Sequence, residues 1–114
     1  MKGGGSVTIN NALAALKLPV THPPYKGEAN EYITYQLITQ TGMLYADDTE
    51  TETAVMYAID LYTTKTPFAA IVKDIKRRLM AAGWICVVEA EMHEQETGLY
   101  HISMTATTEG EIYG

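Results

Sequence analysis

Apolar residues recur along this chain with two periods, and the switches between them divide it into elements. Ile9, Leu13 and Leu16 fall at i, i+4 and i+7, one face of a short helix. Ser6 or Thr8 can cap its start, and Pro19 is expected to end it, because a residue before proline is pushed out of the α region. Residues 20–27 contain Pro23, Pro24 and Gly27 and read as an extended surface connection, not as a strand within a sheet. From Glu31 the period becomes two, with Ile33, Tyr35 and Leu37 on one face and Thr34 and Gln36 on the other. A second strand over residues 53–63 turns Val55, Tyr57, Ile59 and Leu61 inward and Asp60 outward. Residues 42–52, between the two, outnumber what a tight hairpin needs and predict a long loop or a projecting β-arm.

Helical spacing returns in Phe68, Ile71, Val72, Ile75 and Leu79, one broad apolar stripe. Thr66 and Pro67 supply a hydroxyl cap and a first-position proline, and Gly83 supplies the left-handed stop. Strands over 84–92 and 99–107 flank the polar turn 93–98 and predict an antiparallel hairpin. The expected fold is α+β. A mostly antiparallel four-stranded sheet is covered on one face by the long helix, with a short N-terminal helix and the long loop or arm between the first two strands. Residues 1–6 read as a glycine-rich flexible tail, 7–108 as a single domain and 109–114 as a loose C-terminal tail.

Composition narrows the function more than it names one. Fourteen acidic against eight basic side chains give a formal charge of −6, which argues against wrapping nucleic acid or an anionic membrane. No apolar run approaches the ~20 residues of a membrane span, and no apolar signal core follows the N-terminal glycines. The single cysteine, Cys86, excludes an internal disulfide.

Catalytic groups are scarce. Gly3, Gly4 and Gly5 follow no strand and lack the lysine of a phosphate cradle. His93 and His101 could approach across the predicted hairpin, but no repeated ligand spacing accompanies them, so no metal site is assigned. Cys86 lies in the apolar run 84–88, where a thiol packs as a small hydrophobe. The reading is therefore of a non-enzyme with no catalytic residues, no cofactor and no metal.

Charge is segregated instead. Asp47, Asp48, Glu50 and Glu52 lie on the long loop, and Glu89 and Glu91 share, by alternation, the solvent face of a strand. Lys73, Lys76 and Arg77 occupy the helix side opposite the apolar stripe. If copies of the chain assemble, basic helix against acidic loop would make a heterologous contact, the kind that closes into rings. Eight tyrosines against one Phe and one Trp suit half-buried strands and interfaces, and Tyr45, on the loop, is the expected interface anchor.

The runs Tyr32-Ile33-Thr34-Tyr35, Tyr45-Ala46-Asp47-Asp48 and Tyr57-Ala58-Ile59-Asp60-Leu61-Tyr62 resemble the tail terminator, or tail completion, proteins of long-tailed bacteriophages. So do the helix end Leu79-Met80-Ala81-Ala82-Gly83-Trp84 and the strand Leu99-Tyr100-His101-Ile102-Ser103-Met104. The likeness covers about residues 30–107 by pattern and order, without a catalytic motif. It implies a structural role: a ring, typically a hexamer, that caps the finished tail tube, ends its polymerisation and presents the surface to which the head connector attaches. Implied partners are further copies of the chain, the tail tube protein and a connector or stopper protein. The implied location is the head-proximal end of the virion tail, assembled in the host cytoplasm. The loop, here Thr41 to Glu52, would be mobile in a free subunit and ordered between subunits, where Met43, Leu44 and Tyr45 can be buried; charge segregation, separately, puts Lys73, Lys76 and Arg77 at the contact. Genome DNA would pass through the ring unbound, which suits a lumen lined by some of Asp47, Asp48, Glu50, Glu52, Glu89 and Glu91. The competing readings are a stopper, adaptor or tail-tube subunit, and a small-molecule-binding domain of ferredoxin-like architecture, which would need a pocket with convergent polar groups.

Overall fold

A computed structural model describes residues 8–43 and 52–109, with side chains described over 8–38 and 55–108. Helix α1 (Ile9–Leu13) opens at Thr8, whose hydroxyl accepts the Asn11 amide at 3.2 Å. It tightens into a 3₁₀ turn at Ala14–Leu16 and stops at Lys17, which adopts a left-handed φ of 65°. The stop therefore falls before Pro19, where the proline rule put it. Pro19 serves the sheet instead: its carbonyl accepts the Ile33 amide at 2.8 Å. A proline has no N–H to give but keeps its acceptor, so it can lie along a sheet edge. The next residues, Val20–Thr21, form strand β1, parallel to β2 (Glu31–Met43). This corrects the expectation of an unpaired connection, and it makes the sheet five-stranded and mixed rather than four-stranded.

Strand β3 (Glu52–Thr63) pairs antiparallel with β2, and the ladder continues to the pair Met43 and Glu52. The ladder thus takes in Gly42, Met43 and Glu52 from the two ends of the expected loop or arm, whose other residues, 44–51, lie outside the described residues. Helix α2 (Ala69–Ala81) then leads to the hairpin of β4 (Ile85–Glu94) and β5 (Leu99–Glu109), giving the order β1-β2-β3-β5-β4. Glu109 is the last residue of β5, not the first of a tail. Gly98 closes the hairpin turn with a φ of 75° and donates its amide to the Glu94 carbonyl at 2.9 Å.

Helix α2 starts later than Thr66 and Pro67 suggested. Phe68 holds the capping position without a side-chain cap, and its ring packs on Tyr100 at 5.3 Å between centroids. Its end follows the glycine rule: Gly83 has φ 99°, its amide bonds to Met80 O at 3.1 Å and the Trp84 amide to Leu79 O at 2.8 Å. Those two bonds, with buried Leu79 and Trp84, form a Schellman cap and its hydrophobic contact. Thr108 Oγ1 donates to Gly83 O at 2.9 Å and ties this corner to β5.

Both helices cover the same sheet face. Ile9 and Leu13 of α1, Ile75 and Leu79 of α2, and Trp84 and Cys86 pack on Ile33, Val55, Ile59, Leu61, Ile102, Met104 and Ala106. A five-residue helix has no independent stability, so α1 exists because Ile9 and Leu13 are buried there. Coverage stops short of Leu37, which stays 49% exposed although it shares the inward face.

Candidate functional site

Two β-bulges decide which acids face where. One lies at Ile38 in β2 and one at Glu89 in β4, each leaving a residue without a partner across the ladder. A bulge inserts one residue and reverses the alternation beyond it. Glu91 is therefore opposite Ile102, on the helix-covered face, and Glu89 and Glu91 do not share a solvent face as strict alternation predicted. Both are exposed all the same. His93 and His101 separate for a related reason. His93 lies opposite Tyr100 on the covered side and stacks on it at 4.4 Å, while His101 lies opposite Met92 on the helix-free side. They do not converge, and among the described residues no group of three or more His, Cys, Asp or Glu is placed to hold a metal ion.

Lys73 and Lys76 flank a cleft of about 600 Å³ between α2 and β4, floored by Phe68, Val72 and Val88 and bordered by Glu91. They are thus beside the apolar stripe, not opposite it. Arg77 turns away and pairs with Asp74, to which Arg78 Nε also lies within 3.2 Å. Its charge is already answered within the helix, leaving the two lysines as the basic rim of the cleft. Of the other residues assigned to an interface or lumen, Met43 ends β2 and Glu52 begins β3. Leu44, Tyr45, Asp47, Asp48 and Glu50 lie outside the described residues.

Missing from the sequence reading is an aromatic row across the helix-free face. Tyr25, Tyr32, Tyr62 and His101 stack in succession with centroids 4.1, 4.8 and 4.3 Å apart, close to the spacing of adjacent strands. The rings lie face to face, each within 25° of parallel to the next, and so clamp the neighbouring strands together. Tyr25 reaches this row from the 22–30 connection, where its hydroxyl accepts the Ala29 amide at 2.9 Å. A side chain at Gly27 would collide with the Tyr25 ring, so the turn needs glycine there. His101 Nε2 meets Asp60 Oδ1 at 2.8 Å. Burial pushes the Tyr62 hydroxyl above its ordinary pKa, with Asp60 adding to it, and burial followed by Glu94 does the same at Tyr32. Period-two alternation could have placed Tyr32, Asp60 and Tyr62 on one face. The register that makes them neighbours is a tertiary property.

Two other features bear on chemistry. Cys86 is buried in the core, and that burial pushes its thiol up to about 11, against a weaker opposing effect of Lys76. A thiol so placed is protonated at neutral pH and is a poor nucleophile. A second cavity of about 340 Å³, under α1, is lined by His22, Tyr35, Tyr57 and Trp84 with Thr8 and Asn10. His22 is committed there, its Nδ1 bonding Tyr35 O at 3.0 Å.

These features define an open-faced α+β sandwich, a mixed sheet with both helices on one side and, among the described residues, long stretches of β2 and β4 unpaired on their outer sides. No protein-family model matches the chain, and no curated protein sequence does.

Proposed function

We propose that this chain is a structural ring subunit of the tail-terminator type, capping a phage tail tube and presenting the surface to which the head connector attaches. The observation that carries the reading is the β2–β3 ladder. It continues to the pair Met43 and Glu52, beyond Ala54, the last residue of β3 that β5 also pairs. A two-stranded ribbon is marginally stable by itself, and a neighbouring molecule laid against it would hold it. The sequence that follows β2, Met43-Leu44-Tyr45 and then Asp47 and Asp48, joins apolar side chains to charge. The lysine-rimmed cleft of α2 is complementary to such a segment in a second copy. In this reading the arm acids Asp47, Asp48, Glu50 and Glu52, with Glu89, repel DNA phosphates in the lumen. Glu91 serves the cleft instead.

Light scattering over a wide concentration range, with and without purified tail tubes, tests this. The expected result is a discrete ring, or a subunit that binds tube ends only and arrests their growth. Open-ended polymers would instead make the chain a tube subunit. A monomer indifferent to tubes refutes both, and the aromatic cavity beside Trp84 would then be the place to seek a small ligand.

A further inference from the structure

We infer that copies of this chain join edge to edge, residues 85–88 of β4 in one copy pairing antiparallel with residues 36–40 of β2 in the next. The sheet then runs on from subunit to subunit. This deepens the ring reading above and names the contact that would close it.

Among the described residues, β2, which β1 covers only in part, and β4 are each protected along one half of the outer side and bare along the other. On β2, β1 pairs only with Ile33 and Thr34, and the His22 ring caps the Tyr35 carbonyl. Beyond that, among the described residues, nothing pairs with its outer side. On β4, the half from Glu89 onward carries the acids Glu89, Glu91 and Glu94, charges that discourage pairing. The half before it, Ile85-Cys86-Val87-Val88, carries no charge and no proline, and neither does Gln36-Leu37-Ile38-Thr39-Gln40. These bare halves also hold four exposed large apolar side chains: Leu37 at 49%, Ile38 at 51%, Ile85 at 68% and Val87 at 49%. An uncharged, apolar, unpaired edge is a template for another strand.

The topology decides which strand. β2 and β5 run one way along the sheet, β3 and β4 the other. Rotation about an axis along the strands preserves both direction and height, so β4 of one copy meets β2 of the next antiparallel. The heights agree as well. Gln36 aligns through Ala58 and Thr105 with Val87, and Leu37 through Tyr57 and Ala106 with Cys86. Thr39, next to Ile38, aligns through Met56 and Thr107 with Ile85. The two bare stretches therefore meet at one level with their sheet faces matched, Leu37 level with Cys86 on the helix-covered face and Gln36 with Val87 on the other. The Ile38 bulge bends the receiving strand, and a sheet that closes on itself needs such bends. Because the two surfaces differ, the contact is heterologous and can close a ring.

The test uses the full chain, with one variant per edge: Ile85→Lys/Val87→Lys on β4, and Leu37→Lys/Ile38→Lys on β2. All four positions are about half exposed or more, so the subunit fold should survive, checked by circular dichroism and Trp84 fluorescence. Sedimentation velocity should show each variant alone weakened in self-association by at least about tenfold. Mixed, they should form a one-to-one dimer and nothing larger, since each retains the edge the other lacks. Dimers of the β2 variant alone would show β4 pairing with itself and overturn the proposal. So would variants that assemble like the wild type, or a wild type still monomeric near about 1 mM. Amide exchange on the unmutated protein gives a second reading: protection of 85–88 and 36–40 should rise with assembly, and exchange unchanged there counts against the contact. A ring that caps tubes yet ignores these substitutions would sink the edge pairing and spare the function. An edge-dependent ring that ignores tubes would do the reverse.

Discussion

Leu13→Ala probes whether α1 belongs to the cooperative core. Leu13 is fully buried, on a helix of five residues, against α2 and the sheet. Truncation removes the transfer energy of the deleted carbons and leaves a cavity, which together cost about 3–4 kcal/mol at well-packed leucine sites. A domain of this size is stable by about 5–15 kcal/mol, so that loss is a large share. At about 2.1 cal/mol/K of unfolding entropy per residue, it lowers Tm by roughly 12–17 °C. Urea titration followed by Trp84 fluorescence reads it directly, because Trp84 lies in the same buried cluster. The expected result is a lower midpoint with an unchanged slope. A loss below about 1 kcal/mol, with rapid exchange confined to α1 amides, would refute the reasoning. It would mean that the helix docks on a core already complete without it.

Tyr62 stands between Tyr32 and His101 in the aromatic row, so Tyr62→Leu removes two ring contacts while keeping an apolar body. It should cost about 1–2 kcal/mol in chemical denaturation, and a double-mutant cycle with Tyr32→Leu should show coupling. Additive effects would mean that the stacking contributes nothing beyond buried area. Cys86 sets a pH dependence: its thiol titrates at about 11 in the fold, above the ordinary value of 9.0. The unfolded chain therefore ionises first, and stability present below about pH 9 is lost as pH rises through 11, by about 2–3 kcal/mol. The raised hydroxyls of Tyr32 and Tyr62 act in the same direction at higher pH. In Cys86→Val the drop between pH 9 and 11 should shrink, and an identical drop would point to other groups.

Much of the architecture is a local property of the chain. The stripe Ile71, Val72, Ile75 and Leu79 determines a helix with one buried side, and Gly83 ends it because the left-handed turn there is cheapest for glycine. Alternation in Ile33-Thr34-Tyr35 and in Val55 through Leu61 likewise assigns inner and outer faces, since a strand has only two. Local reasoning failed where a partner chose between possibilities. Thr66-Pro67 is a good helix start by itself, yet Phe68 packing on Tyr100 moves the start to Ala69. Two prolines and a glycine read as a free connection, yet Pro19 O has the Ile33 amide within reach and brings Val20–Thr21 into the sheet. The bulges at Ile38 and Glu89 carry no residue signature, and one inserted residue is enough to turn Glu91 to the helix side and separate His93 from His101. The same holds for the candidate surfaces. Leu37, Ile38, Ile85 and Val87 read as ordinary strand residues, and only strand order and register leave them on two bare edges at one height, where composition has no access.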